Sequence, residues 1–160
     1  MKDLDKKVIE VFNVRSFKTL ADTPCKEKVL FGEHGNDIEK SERAITMSKD
    51  ILNHYFDGKN IYIRLSIWDK RYLKKYVKNI FNLQKYITDS LVNDDSIVLY
   101  YYINNYNFQL IEKIVKSIVN YELGLAPYLN ATCYYFNFDV PVLVNVYDDR
   151  GLDIVLPKVV

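Results

Sequence analysis

Apolar residues recur at helical spacing at Leu4, Val8, Val11 and Phe12, so the chain opens on a short amphipathic helix over residues 3–13. From 14 to 36 the pattern lapses. Pro24, Gly32 and Gly35 surround the apolar Val29, Leu30 and Phe31, which implies loops flanking a short extended piece. Asn36, followed three residues later by Glu39, has the form of a capping box. Ala44, Ile45, Ile51, Leu52, Tyr55 and Phe56 then make one apolar stripe that stops at Gly58, predicting a helix over 37–56. Ile61, Ile63, Leu65 and Ile67 alternate with Tyr62, Arg64, Ser66 and Trp68, the period-two pattern of a strand with one buried face over 60–68.

Helical spacing returns at Leu73, Tyr76, Val77, Ile80, Leu83, Ile87 and Leu91, predicting the longest helix over 70–91. Ile97 to Ile103 is nearly continuous in apolar and aromatic residues, as expected of a central strand covered on both faces. Ile111, Ile114, Val115 and Ile118 place a further helix on 108–121, ended near Gly124 and Pro127. Three short runs, 132–138, 142–147 and 152–156, read as an antiparallel meander. The expectation is one α+β domain over 1–160. It has a mixed, largely antiparallel sheet of about five strands, with three to four packed helices and that C-terminal meander.

Composition changes this picture little. A 160-residue chain with 49% hydrophobic residues can bury a core of its own, so disorder is set aside. Fourteen tyrosines accompany abundant Lys, Asn and Ile, the signature of AT-rich coding, and are discounted accordingly. The N-terminus interleaves charges with apolar residues and has no stretch of signal-peptide length, and no later segment approaches a membrane span; both point to a cytoplasmic protein with no membrane partner. Cys25 and Cys133 lie far apart without CxxC spacing, which suggests two free thiols rather than a disulfide or a zinc site.

Residues 146–155, Val-Tyr-Asp-Asp-Arg-Gly-Leu-Asp-Ile-Val, resemble the C-terminal motif of an uncharacterised family of small bacterial proteins, mainly Gram-positive. Glu42-Arg43-Ala44, Tyr55-Phe56-Asp57 and Tyr134-Tyr135-Phe136 are similar to its weaker landmarks, in the same order. The resemblance covers residues 28–156 and implies no reaction, cofactor or substrate. Its relatives occur near secreted toxins, which implies an immunity or antitoxin role. It also implies a helix after the motif, which this chain, ending at Val160, does not contain; the surface that helix covers is expected to lie bare.

Two charged clusters are the candidate partner-binding residues. In the Asp-Asp-Arg-Gly turn, Gly151 is expected to take the positive φ of a hairpin while Asp148 and Asp149 bond nearby turn amides. Arg150 either meets a partner protein or pairs internally with Asp153. A metal site formed by Asp148, Asp149 and Asp153 is the competing enzymatic reading. The second cluster is Arg71, Lys74, Lys75 and Lys78. They belong to a stretch with six cations, from Lys70 to Lys85, and no carboxylate before Thr88, and their spacing puts them on one helix face. Such a face suits solvent, an acidic protein or, as the alternative, nucleic acid, with Tyr72 and Tyr76 able to stack on bases but better suited to a core edge.

His34 and His54 have no ligand spacing, and GxSxG, Walker A and GxGxxG motifs are absent. The expectation is therefore a non-enzymatic protein-binding domain without cofactor. The toxin-neighbour resemblance extends that expectation to an inhibitor of a bacterial toxin acting by occlusion.

Overall fold

The structure is a computed structural model that describes residues 2–17, 20, 23, 24 and 26–157. Cys25, expected to be a free thiol, lies outside the described residues. Helix α1 (Lys2–Phe12) is followed by strand β1 (Lys26–Leu30), helix α2 (Asp37–Phe56) and strand β2 (Ile61–Ile67). A helical segment over 70–81 leads to strands β3 (Ile87–Val92) and β4 (Ile97–Ile103), helix α3 (Phe108–Tyr121) and strands β5 (Ala131–Asn137), β6 (Val142–Asp148) and β7 (Gly151–Val155). The strands form one sheet in the order β1-β7-β6-β5-β2-β4-β3, and every neighbouring pair is antiparallel. The expected meander is β5-β6-β7, and the expected α+β class holds.

Local chemistry explains the helix ends. At α2, Asn36 Oδ1 accepts the Glu39 amide at 2.9 Å and Glu39 Oε1 accepts the Asn36 amide at 3.2 Å, so both halves of the capping box are made. Gly58, at φ +71°, supplies the left-handed stop. Asn107 caps α3 by accepting the Gln109 amide at 2.9 Å.

The long helix over 70–91 does not form. A tight turn at Lys70–Tyr72 widens into π-helical turns over Lys75–Phe81, and Asn82 ends them at φ +53°, a conformation Asn tolerates better than most residues. After a second short turn at Gln84–Tyr86, residues 87–92 run as a strand whose burial alternates. Ile80, Leu83, Ile87 and Leu91 imitate a helical stripe, but a bulge between Ile87 and Asp89 shifts the register of β3, so Ile87 packs on the face covered by α2 and α3 and Leu91 on the opposite face. This strand and β1 raise the count from five to seven, and the sheet is wholly antiparallel rather than mixed. The centre of the sheet is β5, not 97–103, which is next to the edge.

Each face of the sheet carries its own core. On one side α2, α3 and the 70–81 segment bury Leu52, Phe56, Ile114, Ile118 and Phe81 against Ile63, Leu65, Tyr101 and Val144. A buried hydrogen bond from Ser41 Oγ to Asn120 Oδ1, 2.5 Å, ties α2 to α3. On the other side α1 lays Val8 and Phe12 over Tyr100, Phe136, Leu143 and Val155. Strand β2, expected to have one buried face, is therefore covered on both.

This second face has a polar line through its middle. Lys28, Asp153, Asn145, Tyr134, Arg64 and Tyr100 are successive cross-strand partners from β1 to β4. Residues directly opposite in neighbouring strands project to the same side, so these six share a face.

Candidate functional site

The turn between β6 and β7 is built by Asp148. Its Oδ1 accepts the Arg150 amide at 2.7 Å, and its Oδ2 accepts Arg150 Nε at 2.9 Å and Nη2 at 2.6 Å. Arg150 thus pairs with Asp148, not Asp153, and closes the turn upon itself while its side chain stays 64% exposed. Phe31 adds to the closure, donating its amide to the Arg150 carbonyl at 2.9 Å.

Gly151 is required for a different reason from the one its turn position suggests. It is not among the residues at positive φ. Instead, a Cβ there would lie 2.5 Å from the Val29 carbonyl oxygen of β1 and 2.5 Å from Tyr147 Oη, so strand β1 and the Tyr147 ring occupy the space a side chain needs.

The three aspartates do not converge. Asp148 is engaged by Arg150, and Asp153 lies between Asn145 and Lys28 in the polar line across the sheet. Among the described residues no group of three or more His, Cys, Asp or Glu is arranged to hold a metal ion.

Burial raises the Asp149 carboxyl above its ordinary range, and neighbouring Asp148 adds to the shift. Burial likewise raises Asp153, against the pull of Lys26 and Lys28, and its Oδ1 is buried without a hydrogen-bond partner. A raised carboxyl in the folded state takes up its proton earlier on acidification than the unfolded chain does. Stability from Asp153 therefore grows as pH falls through the window above the ordinary value of 3.8 and is lost as pH rises again. Asp153→Asn is expected to flatten that slope in thermal melts taken between about pH 4 and pH 7.

The basic cluster is exposed as expected, on the 70–81 segment, but one member is spoken for. Arg71 is held by Asp69, which caps the segment and accepts from Arg71 Nη2 at 2.8 Å and from the Arg71 amide at 3.0 Å. The hydrogen bonds from Arg71 hold the Asp69 carboxyl below its usual range. Lys74, Lys75 and Lys78 face outward, Lys75 with its ammonium 5.7 Å from the Tyr76 ring centroid. Tyr76 is core, as its spacing suggested. It is 2% exposed and accepts the Tyr128 amide at 2.9 Å while donating to the Tyr128 carbonyl.

Between the two clusters the structure places a groove that the sequence did not reveal. One part, about 290 Å³, is lined by Arg71, Tyr72, Tyr121, Tyr128 and Asn130. The next, about 200 Å³, shares Tyr121, Leu129 and Asn130 with it and reaches Asn145 and Tyr147. The second part opens where β5 and β6 part company: their direct pairing ends at Tyr134 and Asn145, although β5 begins at Ala131 and β6 runs to Asp148. Asn145 Nδ2 spans the parting by donating to the Cys133 carbonyl at 2.8 Å. Cys133 itself is sealed in the core, where burial pushes its thiol up to about 12, so it is no nucleophile. Glu122 stands at the rim near Arg150, and Tyr72, Tyr121 and Tyr128 are 39%, 40% and 45% exposed. Large half-exposed aromatics around a depression are uncommon away from contact surfaces.

Other sequence features are structural. Arg43 clasps the Gly32–Gly35 loop, donating to the His34 carbonyl at 2.5 Å and meeting the His34 ring at 2.9 Å. Alternation along β2 assigns Arg64 to solvent, but the structure buries it. It is 5% exposed and donates to Asp5 of α1 at 3.0 Å and to Ser66 at 3.0 Å.

The geometry defines an α+β domain with a two-faced antiparallel sheet and a surface groove. The chain belongs to the family described as a domain of unknown function, DUF3885, whose model matches residues 25–159. Helix α1 precedes the matched region. No curated protein and no solved structure matches the chain. No helix among the described residues is long and apolar enough to cross a membrane.

Proposed function

We propose that this chain is a non-enzymatic protein-binding domain that works in the cytoplasm as an immunity- or antitoxin-type inhibitor, occluding a surface of a bacterial toxin. The observation that carries the binding reading is the groove, with its three half-exposed tyrosines and Arg71. Tyr and Arg dominate the energetics of protein interfaces because they supply large contact areas with polar ends. The groove runs from Arg71 at one end to Glu122 at the other, and the exposed Lys74, Lys75 and Lys78 follow Arg71 on the 70–81 segment. A partner with the complementary polarity is steered into one orientation. The toxin-inhibitor part of the reading rests on the motif resemblance.

Co-expression with toxins encoded beside its gene tests this. Restored growth that is lost on Tyr121→Ala/Tyr128→Ala is the expected result, because two anchors at about 2 kcal/mol each weaken binding roughly a thousandfold. No protection against any neighbouring toxin, or protection indifferent to the tyrosines, overturns it.

Nucleic acid is the second reading, favoured by Tyr72 beside the exposed lysines. It predicts saturable oligonucleotide binding that falls about 20-fold between 50 and 200 mM salt if three lysines contact phosphate on a single strand. Fluorescence polarisation with single-stranded DNA and RNA separates the two readings.

A further inference from the structure

Arg64 is the one basic side chain buried in the core among the described residues, and it sits on the second face of the sheet, away from the groove. Its guanidinium stacks on Phe17, 3.9 Å from the ring centroid, and gives Nε and Nη2 to the Asp5 carboxylate and Nη1 to Ser66 Oγ. Asp5 also accepts from Tyr100 Oη. A guanidinium has five N–H groups arranged as a fork, so a carboxylate seated on the Nε edge leaves the opposite edge able to take a second one. Arg64 lines a cavity of about 390 Å³, within the range of small-ligand sites, together with Phe17, Ser66, Trp68 and the β3–β4 turn carrying Asp94 and Asp95.

The walls of this cavity differ in sign. Arg64 and Ser66 offer donors on one side, while Asp94 and Asp95 are exposed and meet no cation at ion-pair distance among the described residues. Lys70, the neighbouring cation, is bound instead to the Asn93 carbonyl at 2.9 Å. A phosphate or a dicarboxylate would be repelled by the turn, and a simple amine would leave the donors of Arg64 and Ser66 without an acceptor. A molecule carrying an ammonium and a carboxylate on the same carbon satisfies both walls.

We propose that this cavity binds a free α-amino acid as its zwitterion. The carboxylate takes the outer edge of Arg64 and Ser66 Oγ, the ammonium takes Asp94 and Asp95, and the side chain lies against Trp68 and Phe17. The site does not depend on the groove or on a protein partner.

Trp68 is the only tryptophan of the chain, so its fluorescence reports occupancy directly. The full chain is titrated with each common free amino acid, and the best binder is compared with its N-acetyl derivative and its methyl ester. Saturable quenching or a spectral shift, weakened about tenfold or more by either blocking group, is expected, with a rise in melting temperature at saturation. Asp94→Asn/Asp95→Asn lies on an exposed turn and is expected to weaken binding about tenfold without moving the melting temperature of the unliganded protein. Absence of a saturable response at tens of millimolar, an equal response to the blocked derivatives, or unchanged affinity in the double variant overturns the proposal.

Discussion

Gly151→Ala is expected to destabilise the domain by about 3 kcal/mol, near the upper end for forcing a methyl group into packed space. For a chain of this size that lowers the melting temperature by about 6–12 °C. The cost is steric and comes from two directions. The new methyl carbon would lie 2.5 Å from Tyr147 Oη and 2.5 Å from the Val29 carbonyl oxygen. The tyrosine can shift, and Tyr147→Phe alone is expected to be neutral or mildly stabilising, because that hydroxyl is buried without a partner. The carbonyl cannot shift in the same way, since β1 is locked to β7 from Lys26–Val155 to Leu30–Gly151. Tyr147→Phe therefore should not rescue Gly151→Ala. A glycine-to-alanine melting curve that superimposes on the parent would show that β1 does not pack where the structure places it.

The second large effect concerns the attachment of α1. Asp5→Ala leaves the Arg64 guanidinium, 6% exposed, without its carboxylate in a mostly apolar layer, and is expected to cost about 3 kcal/mol. The Asp5 side chain keeps 21% of its surface in water, which places the figure at the lower end for buried pairs. Replacing both partners with apolar residues, Asp5→Leu/Arg64→Met, should recover most of the loss, because the penalty arises from an uncompensated charge rather than from missing attraction. Urea unfolding of the parent, the single and the double variants measures the coupling directly. Additive losses would mean that the ion pair does not hold the helix to the sheet.

Much of the fold was legible in short-range pattern. The capping box at Asn36 and Glu39, the alternation along β2 and the stripe of α3 each arise from neighbours a few residues apart, and each element forms where expected. What failed did so where distant residues decide. The left-handed turn at Asn82 cuts a stripe whose spacing otherwise suits a helix, and β4 then captures residues 87–92 as a strand. Pattern along β2 could show that Arg64 alternates with apolar positions, but not that α1 returns to cover it. The turn sequence singles out Gly151, yet its true constraint is a carbonyl on a strand far away in sequence.

The candidate site divides in the same way. The charged residues of both clusters were identifiable as types, and the structure places Lys74, Lys75, Lys78 and Arg150 at the surface. It also shows that Arg71 and Arg150 are each closed onto a nearby aspartate, leaving the three lysines as the freer charges. The groove between the clusters combines residues from the 70–81 segment, the end of α3 and strands β5 and β6, and no linear spacing encodes such a convergence.

The pairing of β1 with β7 has a consequence for how the chain is made. Lys26 lies opposite Val155, so β1 must wait for all the intervening residues to be synthesised before its partner leaves the ribosome. Closing so long a connection is entropically costly and slows the final assembly of the sheet. In the interval, the Lys26-Glu27-Lys28 charges at its start disfavour pairing with the same segment of another nascent chain, which protects an otherwise sticky edge until the C-terminal hairpin arrives.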